Sequence, residues 1–262
     1  MTLIKHELRQ GKISFIIWTG AIGVLLAVCI FLYPEMKEQM GNIGDMFSSM
    51  GAFTAAFGMD RLNFGTLIGF YAVECGNILG LGGAFFASLC AVSILSKEEN
   101  GRTAEFLLTH PVSRVQIITE KLLAVFMQIV SMNLIIYVLS VGSITAIGEK
   151  VLWKELNLMH LAYFLMQLEL AGICFGVSAF MKKGSVGVGL GIAVVMYFLN
   201  LVANISESAE FVKYITPFGY SDGADIVASG SLDGPMTAVG FVFCVAGVVT
   251  AYVKYCRKDI QA

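Results

Sequence analysis

The chain has 262 residues, of which 57% are hydrophobic and only 14% are charged. This composition is typical of a membrane protein and excludes an ordinary soluble domain. The formal net charge is −2, and no basic tail or stripe indicates nucleic-acid binding. The useful signal is therefore the position of apolar runs of at least ~18 residues, which can cross ~30 Å of hydrocarbon as a helix.

The residues before the first apolar run, TLIKHELRQGK, place Leu3, Ile4 and Leu8 on one helical face and basic residues on the other. This pattern predicts a short amphipathic helix on the inner leaflet, with the three apolar side chains against lipid. A frayed cytoplasmic tail is the alternative. A secretory signal is disfavoured because the following run exceeds an h-region of ~7–15 residues and no A-x-A pattern follows it.

Six apolar runs follow, and each is long enough to be a membrane span. Their approximate limits are residues 13–33, 66–95, 122–147, 159–181, 185–203 and 236–252. The second and third runs exceed the minimum, so we expect tilt, a kink or extension beyond the membrane. The predicted fold is an all-α integral membrane protein with six transmembrane helices and an N-terminal interfacial helix.

The Lys and Arg residues predict the orientation. If the N-terminus is cytoplasmic, most of the 17 basic residues fall in inner segments. The outer segments then hold only Lys37, Arg61, Lys150, Lys154 and Lys213. By the positive-inside rule, both chain ends are expected in the cytoplasm of a multi-pass protein of the plasma membrane.

Small residues and cysteines have structural interpretations. Glycines four apart, at Gly65–Gly69, Gly76–Gly80 and Gly172–Gly176, allow close helix contact. Packing within one subunit is favoured over contact between subunits. The six cysteines lie in or beside apolar runs, without a C-x-x-C pattern. We expect them to be packing residues, and we predict no metal site.

The polar stretch SKEENGRTAEFLLTHPVSRVQIITEK, residues 96–121, separates spans two and three. Asn100-Gly101 is a turn signal, and two helical turns are predicted over residues 103–109. Pro111 disfavours a helical conformation at His110 and ends that piece. Ser113 and Gln116 match a capping box, which predicts that the next helix starts there and continues into span three.

The predicted short helix carries three apolar residues, Phe106, Leu107 and Leu108, on the cytoplasmic side of the membrane. The charged residues around it are Glu99, Arg102, Glu105 and Arg114. Apolar side chains in this position need a cover, either the inner leaflet or a groove on a soluble partner. The residues alone leave both open.

The pattern E-E-x-G-R-T-x-E-F-L-L-x-x-P-V-S-R, with a later E-K-L-L, resembles the first cytoplasmic loop of ABC-2 type permeases, the membrane subunits of a class of ABC exporters. The residues that match are Glu98, Glu99, Gly101, Thr103, Glu105, Leu107, Leu108, Pro111, Ser113, Arg114 and Lys121. Arg102 separates Gly101 from Thr103, which many members have adjacent. The resemblance implies that residues 96–121 form a coupling loop whose short helix docks on an ATPase subunit, with Arg102 and Phe106 part of the same surface.

The resemblance also extends to the interfacial helix, the six-span plan and the outer segment Tyr214–Tyr220. It implies that residues 1–262 form a single permease domain that dimerises with a second copy or a paralogue. Two cytoplasmic ATPase subunits would bind ATP and Mg, and the substrate would be a peptide, an antibiotic or a lipid-like compound. The chain has no G-x-x-x-x-G-K-[ST] phosphate loop, so we expect no enzyme activity and no cofactor in the chain itself.

Several polar residues lie within the predicted spans. Glu169 is near the middle of span four, where an ionised carboxylate costs ~2.5–3.5 kcal/mol. It must be protonated, paired or hydrated, and desolvation favours the protonated form. The predicted partners are Gln167, Gln128 and Asn133. Glu74 and Asn77 lie in the outer half of span two, in reach of interfacial water.

These polar residues support two interpretations, a structural one with interhelical hydrogen bonds and a functional one on the translocation path. The functional one gives an alternative protein class, a stand-alone secondary transporter in which Glu169 and Glu74 carry protons. A membrane-bound enzyme is a third class. The missing nucleophile and metal constellations disfavour it.

Overall fold

The computed structural model describes residues 2–39, 51–101, 112–182 and 184–257, and these ranges are helical without any β-strand. The α-helices are α1 (Thr2–Gln39), α2 (Ala52–Ala56), α3 (Leu67–Cys75), α4 (Gly82–Val92), α5 (Lys97–Asn100), α6 (Arg114–Ala146), α7 (Trp153–Ser178), α8 (Val186–Ile205), α9 (Gly223–Ser229) and α10 (Gly234–Arg257). A π-helical segment, Gly76–Leu81, joins α3 to α4, and a 3₁₀ helix, Glu207–Tyr214, follows α8.

Six helical units in the described ranges are long and apolar enough to cross a membrane: α1, the continuous unit from α3 to α4, α6, α7, α8 and α10. This confirms the predicted all-helical fold with six spans. Large apolar side chains such as Ile13 on α1, Phe198 on α8 and Phe241 on α10 are more than half exposed. Lipid suits such surfaces, because the driving force that buries apolar residues in water is absent in the bilayer.

Helix α1 differs from the prediction of a separate interfacial helix. A single helix runs from Thr2 through Pro34 to Gln39. At 1.5 Å per residue it is about 57 Å long, so its ends extend well beyond ~30 Å of hydrocarbon. Leu3, which we expected to face lipid, packs against the protein core.

The second span contains the π-helical segment near its middle. The glycines at 76 and 80 face the ring of Tyr163 on α7, and a Cβ at Gly76 would lie 3.1 Å from its Oη. The α3 end of this span is capped by Thr66, whose hydroxyl accepts a hydrogen bond from the Gly69 amide at 3.3 Å. A π-helical turn accommodates one extra residue per turn, which locally shifts the face that the helix presents.

Helix α7 is the most buried span and contacts α4, α6 and α10. Its closest neighbour is α10, because small residues face each other at the crossing. A Cβ at Gly247 would lie 2.3 Å from the backbone oxygen of Gly172, and a Cβ at Gly176 would lie 2.8 Å from that of Gly247. The Gly172–Gly176 pair therefore serves packing within one subunit, as we predicted.

The connection between α8 and α10, which we predicted to lie on the outer side of the membrane, folds back into the helical bundle. Residues 216–221 are buried, and the Thr216 hydroxyl donates to the Met196 carbonyl oxygen on α8 at 2.7 Å. At the surface, Arg61 forms ion pairs with Asp222 and Asp225, so the connection is also fastened to the residues before α3. The segment 216–221 is referred to below as the outer plug.

Candidate functional site

The predicted coupling loop is described only at its two ends. Arg102, Thr103, Glu105, Phe106, Leu107, Leu108 and Pro111 lie outside the described residues. At the first end, Glu98 and Glu99 belong to α5, and Gly101 forms a turn in which its amide donates to the Lys97 carbonyl at 2.8 Å. At the second end, α6 begins at Arg114.

The start of α6 confirms the helix start predicted at Ser113. The Ser113 hydroxyl accepts a hydrogen bond from the Gln116 amide at 3.1 Å and caps the helix. The reciprocal half of a capping box is absent among the contacts of these two residues. The Gln116 side chain instead donates to Glu120 at 3.0 Å, four residues further along the helix.

A buried ion cluster lies at the base of the loop. Lys121 on α6 has no exposed surface, and its ammonium group lies 3.0 Å from Glu7 on α1 and 2.5 Å from Glu98 on α5. It also donates to the Ile94 carbonyl oxygen at 2.6 Å. Glu7 itself is only 3% exposed, and its other oxygen pairs with Lys97. We call Glu7, Lys97, Glu98 and Lys121 the base cluster.

The base cluster joins three chain segments that are distant in sequence. The start of α1 has a further tie to α6, because the Glu120 carboxylate accepts hydrogen bonds from the amides of Leu3 and Ile4 at 3.1 and 3.3 Å. A carboxylate there satisfies amides that have no partner within the helix and complements the helix dipole. The first turn of α1 is thus docked on α6.

The start of α6 also contacts the end of α10. Arg114 donates to the Cys256 carbonyl oxygen at 3.2 Å, and the Thr119 and Tyr252 hydroxyls lie 2.7 Å apart. A guanidinium group at a helix C-terminus satisfies free carbonyls and interacts favourably with the dipole. The second end of the loop is therefore fixed to both the first and the last span.

Inside the bundle, Glu169 on α7 is 2% exposed, and the Tyr220 hydroxyl of the outer plug donates to it at 2.9 Å. Gly240 on α10 makes room for the carboxyl group, since a Cβ there would lie 2.2 Å from Glu169 Oε2. The predicted partners of Glu169 were wrong, because Gln167 pairs with Asn133 and Gln128 contacts Cys90.

The other predicted polar residues form separate contacts. Asn133 donates to Gln167 at 2.7 Å and so links α6 to α7. Gln128 lies nearer to the start of α6, where the Cys90 thiol donates to its Oε1 at 3.6 Å and Gly11 on α1 packs against its amide. These contacts are interhelical, as the structural interpretation predicts.

The two polar residues of the second span also have partners within the protein. Glu74 is partly buried and accepts from the Cys29 thiol on α1 at 3.6 Å. Asn77 accepts from the Tyr197 hydroxyl on α8 at 3.3 Å and lines a cavity of about 60 Å³ beneath the outer plug. Glu74 and Glu169 therefore contact different elements.

The sequence analysis did not predict the ion pair of Glu7 with Lys121 or the hydrogen bond of Tyr220 to Glu169. An acidic residue within the otherwise basic stretch KHELRQGK was the available signal for Glu7. Tyr220 belongs to the segment Tyr214–Tyr220 noted in the sequence, but no local pattern indicated that its hydroxyl contacts Glu169 on α7. Among the described residues no group of three His, Cys, Asp or Glu side chains could hold a metal ion.

Comparison with known proteins agrees with this architecture. The chain is 24% identical over 215 residues to the "Uncharacterized protein YhcI" of Bacillus subtilis (strain 168), a match that covers 72% of this chain and 68% of that protein. The family model described as "ABC-2 family transporter protein" matches residues 1–260, which is nearly the whole chain. The chain therefore belongs to the ABC-2 family of transporter membrane proteins.

Proposed function

We propose that the chain is the permease subunit of an ABC exporter and couples to cytoplasmic ATPase subunits through residues 96–121. Members of this family typically work with ABC ATPase partners. The observation that carries the proposal is the construction of the loop's two ends. One end is held by Glu98 in the base cluster, and the other is held by Arg114 against α10. A loop fastened in this way can transmit force to the spans.

Two ATPase subunits bind ATP and Mg, and this chain contributes no catalytic group or cofactor. Two permease chains, identical or paralogous, enclose the path in the plasma membrane, with both termini in the cytoplasm. The direction of transport is outward, and the substrate classes are peptides, antibiotics and lipid-like compounds. The lipid bilayer surrounds these subunits, and we expect no nucleic-acid partner.

The proposal is tested by purifying the affinity-tagged chain from its native membrane and identifying the co-purified proteins by mass spectrometry. A subunit with a P-loop should be recovered, and the reconstituted complex should hydrolyse ATP. A variant of that ATPase without its P-loop lysine serves as the control and should assemble without hydrolysis. Recovery of the chain without any such subunit, combined with proton-driven uptake or efflux, would favour the secondary transporter instead.

A further inference from the structure

The base cluster has a geometry that differs from an ordinary surface ion pair. Lys121 is fully buried and has three N–H donors, and the structure gives it three acceptors, from Glu7, Glu98 and Ile94. Every donor thus has an acceptor within the protein. A buried ammonium group with this set of contacts cannot change partners without leaving a charge unpaired, so the relative positions of the three segments are fixed.

The cluster also occupies a mechanically useful position. Glu98 lies on the first end of the loop, Lys121 lies two turns into α6 at the second end, and Glu7 lies on α1. Helix α1 is continuous from Thr2 to Gln39 and packs along α6. A displacement applied to its inner end is therefore carried along a single helix to the outer surface.

Stability is a weak reason for such a cluster. Buried ion pairs often contribute little compared with apolar residues of the same volume, because desolvation offsets their attraction. The best-attested benefit of buried ion pairs is that they fix one relative position of the segments they join. Here the position is that of α1 relative to the two ends of the loop.

We propose that Glu7, Lys121 and Glu98 form a joint that passes movement of the coupling loop to helix α1. This inference rests on the proposed function, since the ATPase supplies the movement. Glu7 and Lys121 are positioning residues in this role. Lys97 pairs with the second carboxylate oxygen of Glu7 and also donates a 2.6 Å hydrogen bond to Gln10. These contacts orient the Glu7 carboxylate so that its first oxygen faces Lys121.

The test measures movement and needs no knowledge of the substrate. Spin labels replace Lys12 on α1 and, in a second sample, Val115 at the start of α6, each paired with a label at Val188 on α8. The background lacks the six native cysteines, and labelled chain is diluted with unlabelled chain so that only distances within one chain are measured. Distances are compared between the nucleotide-free and vanadate-trapped complexes with the ATPase.

The informative variant is Glu7→Leu. It leaves Lys121 with Glu98 and the Ile94 carbonyl oxygen, so the buried ammonium group stays compensated and the chain is expected to fold. Should Glu7→Leu not assemble, the isosteric Glu7→Gln provides the same test. Glu7→Asp, which keeps the charge, should restore part of the movement. Arg9→Gln, an exposed position on the same helix, is the matched control.

In the unsubstituted protein and in Arg9→Gln, the distance between the two labels should change in both label pairs when nucleotide is trapped. In Glu7→Leu, the distance of the Val115 pair should still change, while the change of the Lys12 pair should become smaller, because only the Glu120 bonds to the Leu3 and Ile4 amides then hold this end of α1. If the two label pairs changed distance equally in Glu7→Leu, the proposed joint would be contradicted. The base cluster would then only hold the three segments in place. Failure of the proposed function is distinguishable, because the ATPase would then not associate and the Val115 pair would not respond to nucleotide in any sample.

Discussion

Tyr220 and Glu169, which are 51 residues apart, are joined by a buried hydrogen bond of 2.9 Å. The bond connects the outer plug to the middle of α7, the most buried span. It satisfies a carboxyl group that would otherwise be costly at membrane depth. The plug is thereby held in the bundle by a side chain rather than by backbone pairing.

Replacing Tyr220 with Phe should lower the free energy of unfolding by about 1–2 kcal/mol, the size of a hydrogen bond between polar side chains within a membrane protein. Thermal or denaturant unfolding in detergent provides the measurement. Tyr214→Phe is the control, because Tyr214 is 45% exposed on the 3₁₀ helix. Equal effects of the two substitutions would contradict the role of the bond.

Glu169→Gln should preserve both assembly and the activity of the complex. The amide oxygen of Gln accepts the Tyr220 hydrogen bond, so the structural role survives while the ability to release a proton is lost. ATP hydrolysis by the reconstituted complex should stay near the unsubstituted level, with little change in its pH dependence. An assembled Glu169→Gln complex without transport or hydrolysis would show that the carboxyl group handles protons.

The crossing of α7 and α10 should tolerate no added side chain. Gly247→Ala places a Cβ against the backbone of Gly172, where no flexible side chain can move aside. We expect a loss of about 1–3 kcal/mol, the usual cost of overpacking. Gly191→Ala on α8 is the matched control, since nothing lies within 4 Å of its Cβ. It should be neutral or slightly stabilising, and similar losses for both would refute the close crossing.

Lys121→Met should be strongly destabilising, by about 3–5 kcal/mol, because it leaves the buried carboxylate of Glu7 and the partly buried carboxylate of Glu98 without their common partner. Adding Glu98→Gln should recover part of this loss, since one uncompensated charge is then removed. The double-mutant cycle measures the coupling between the two residues. Lys12→Met, at an exposed position, is the control, and additive effects of Lys121→Met and Glu98→Gln would exclude a direct pair.

The six spans could be predicted because the bilayer leaves the chain few choices. Each backbone amide in hydrocarbon must be satisfied within a helix, so a long apolar run predicts its own structure. The predicted ends of the spans were less accurate, because helices α1 and α6 continue through polar residues that hydropathy assigns to the loops. Ser113 was identified correctly because helix capping is a local property of the sequence.

The predicted depth in the membrane identified which polar residues take part in contacts within the bundle, but not which residues pair with each other. Asn133 and Gln167 were expected to be polar partners within the bundle, but as partners of Glu169, whereas the structure joins them to each other. Glu169 was assigned the wrong partner because its true partner reaches it from a connection that folds back into the bundle. That path depends on packing of residues 216–221 against α7 and α8, which no local pattern encodes.

The orientation of the chain has a direct test. Single cysteines at Asp45, Lys150 and Ser229, in an otherwise cysteine-free background, should react with an impermeant thiol reagent added to intact cells. Cysteines at Asn100 and Lys183 should react only after permeabilisation, as the distribution of Lys and Arg requires. Labelling at Asn100 in intact cells would invert the proposed topology and place the coupling loop outside.

The central claim, that residues 96–121 couple the chain to an ATPase, is tested most directly by co-purification with the double substitution Leu107→Asp and Leu108→Asp. These residues lie outside the described ranges, and the resemblance to the family assigns them to the docking face. Charges there would be buried without partners on docking, so the chain should insert normally and lose the ATPase. The control pair, Phe211→Asp and Tyr214→Asp on the outer 3₁₀ helix, should retain it. Normal recovery of the ATPase with the Leu107 and Leu108 variant would contradict the account.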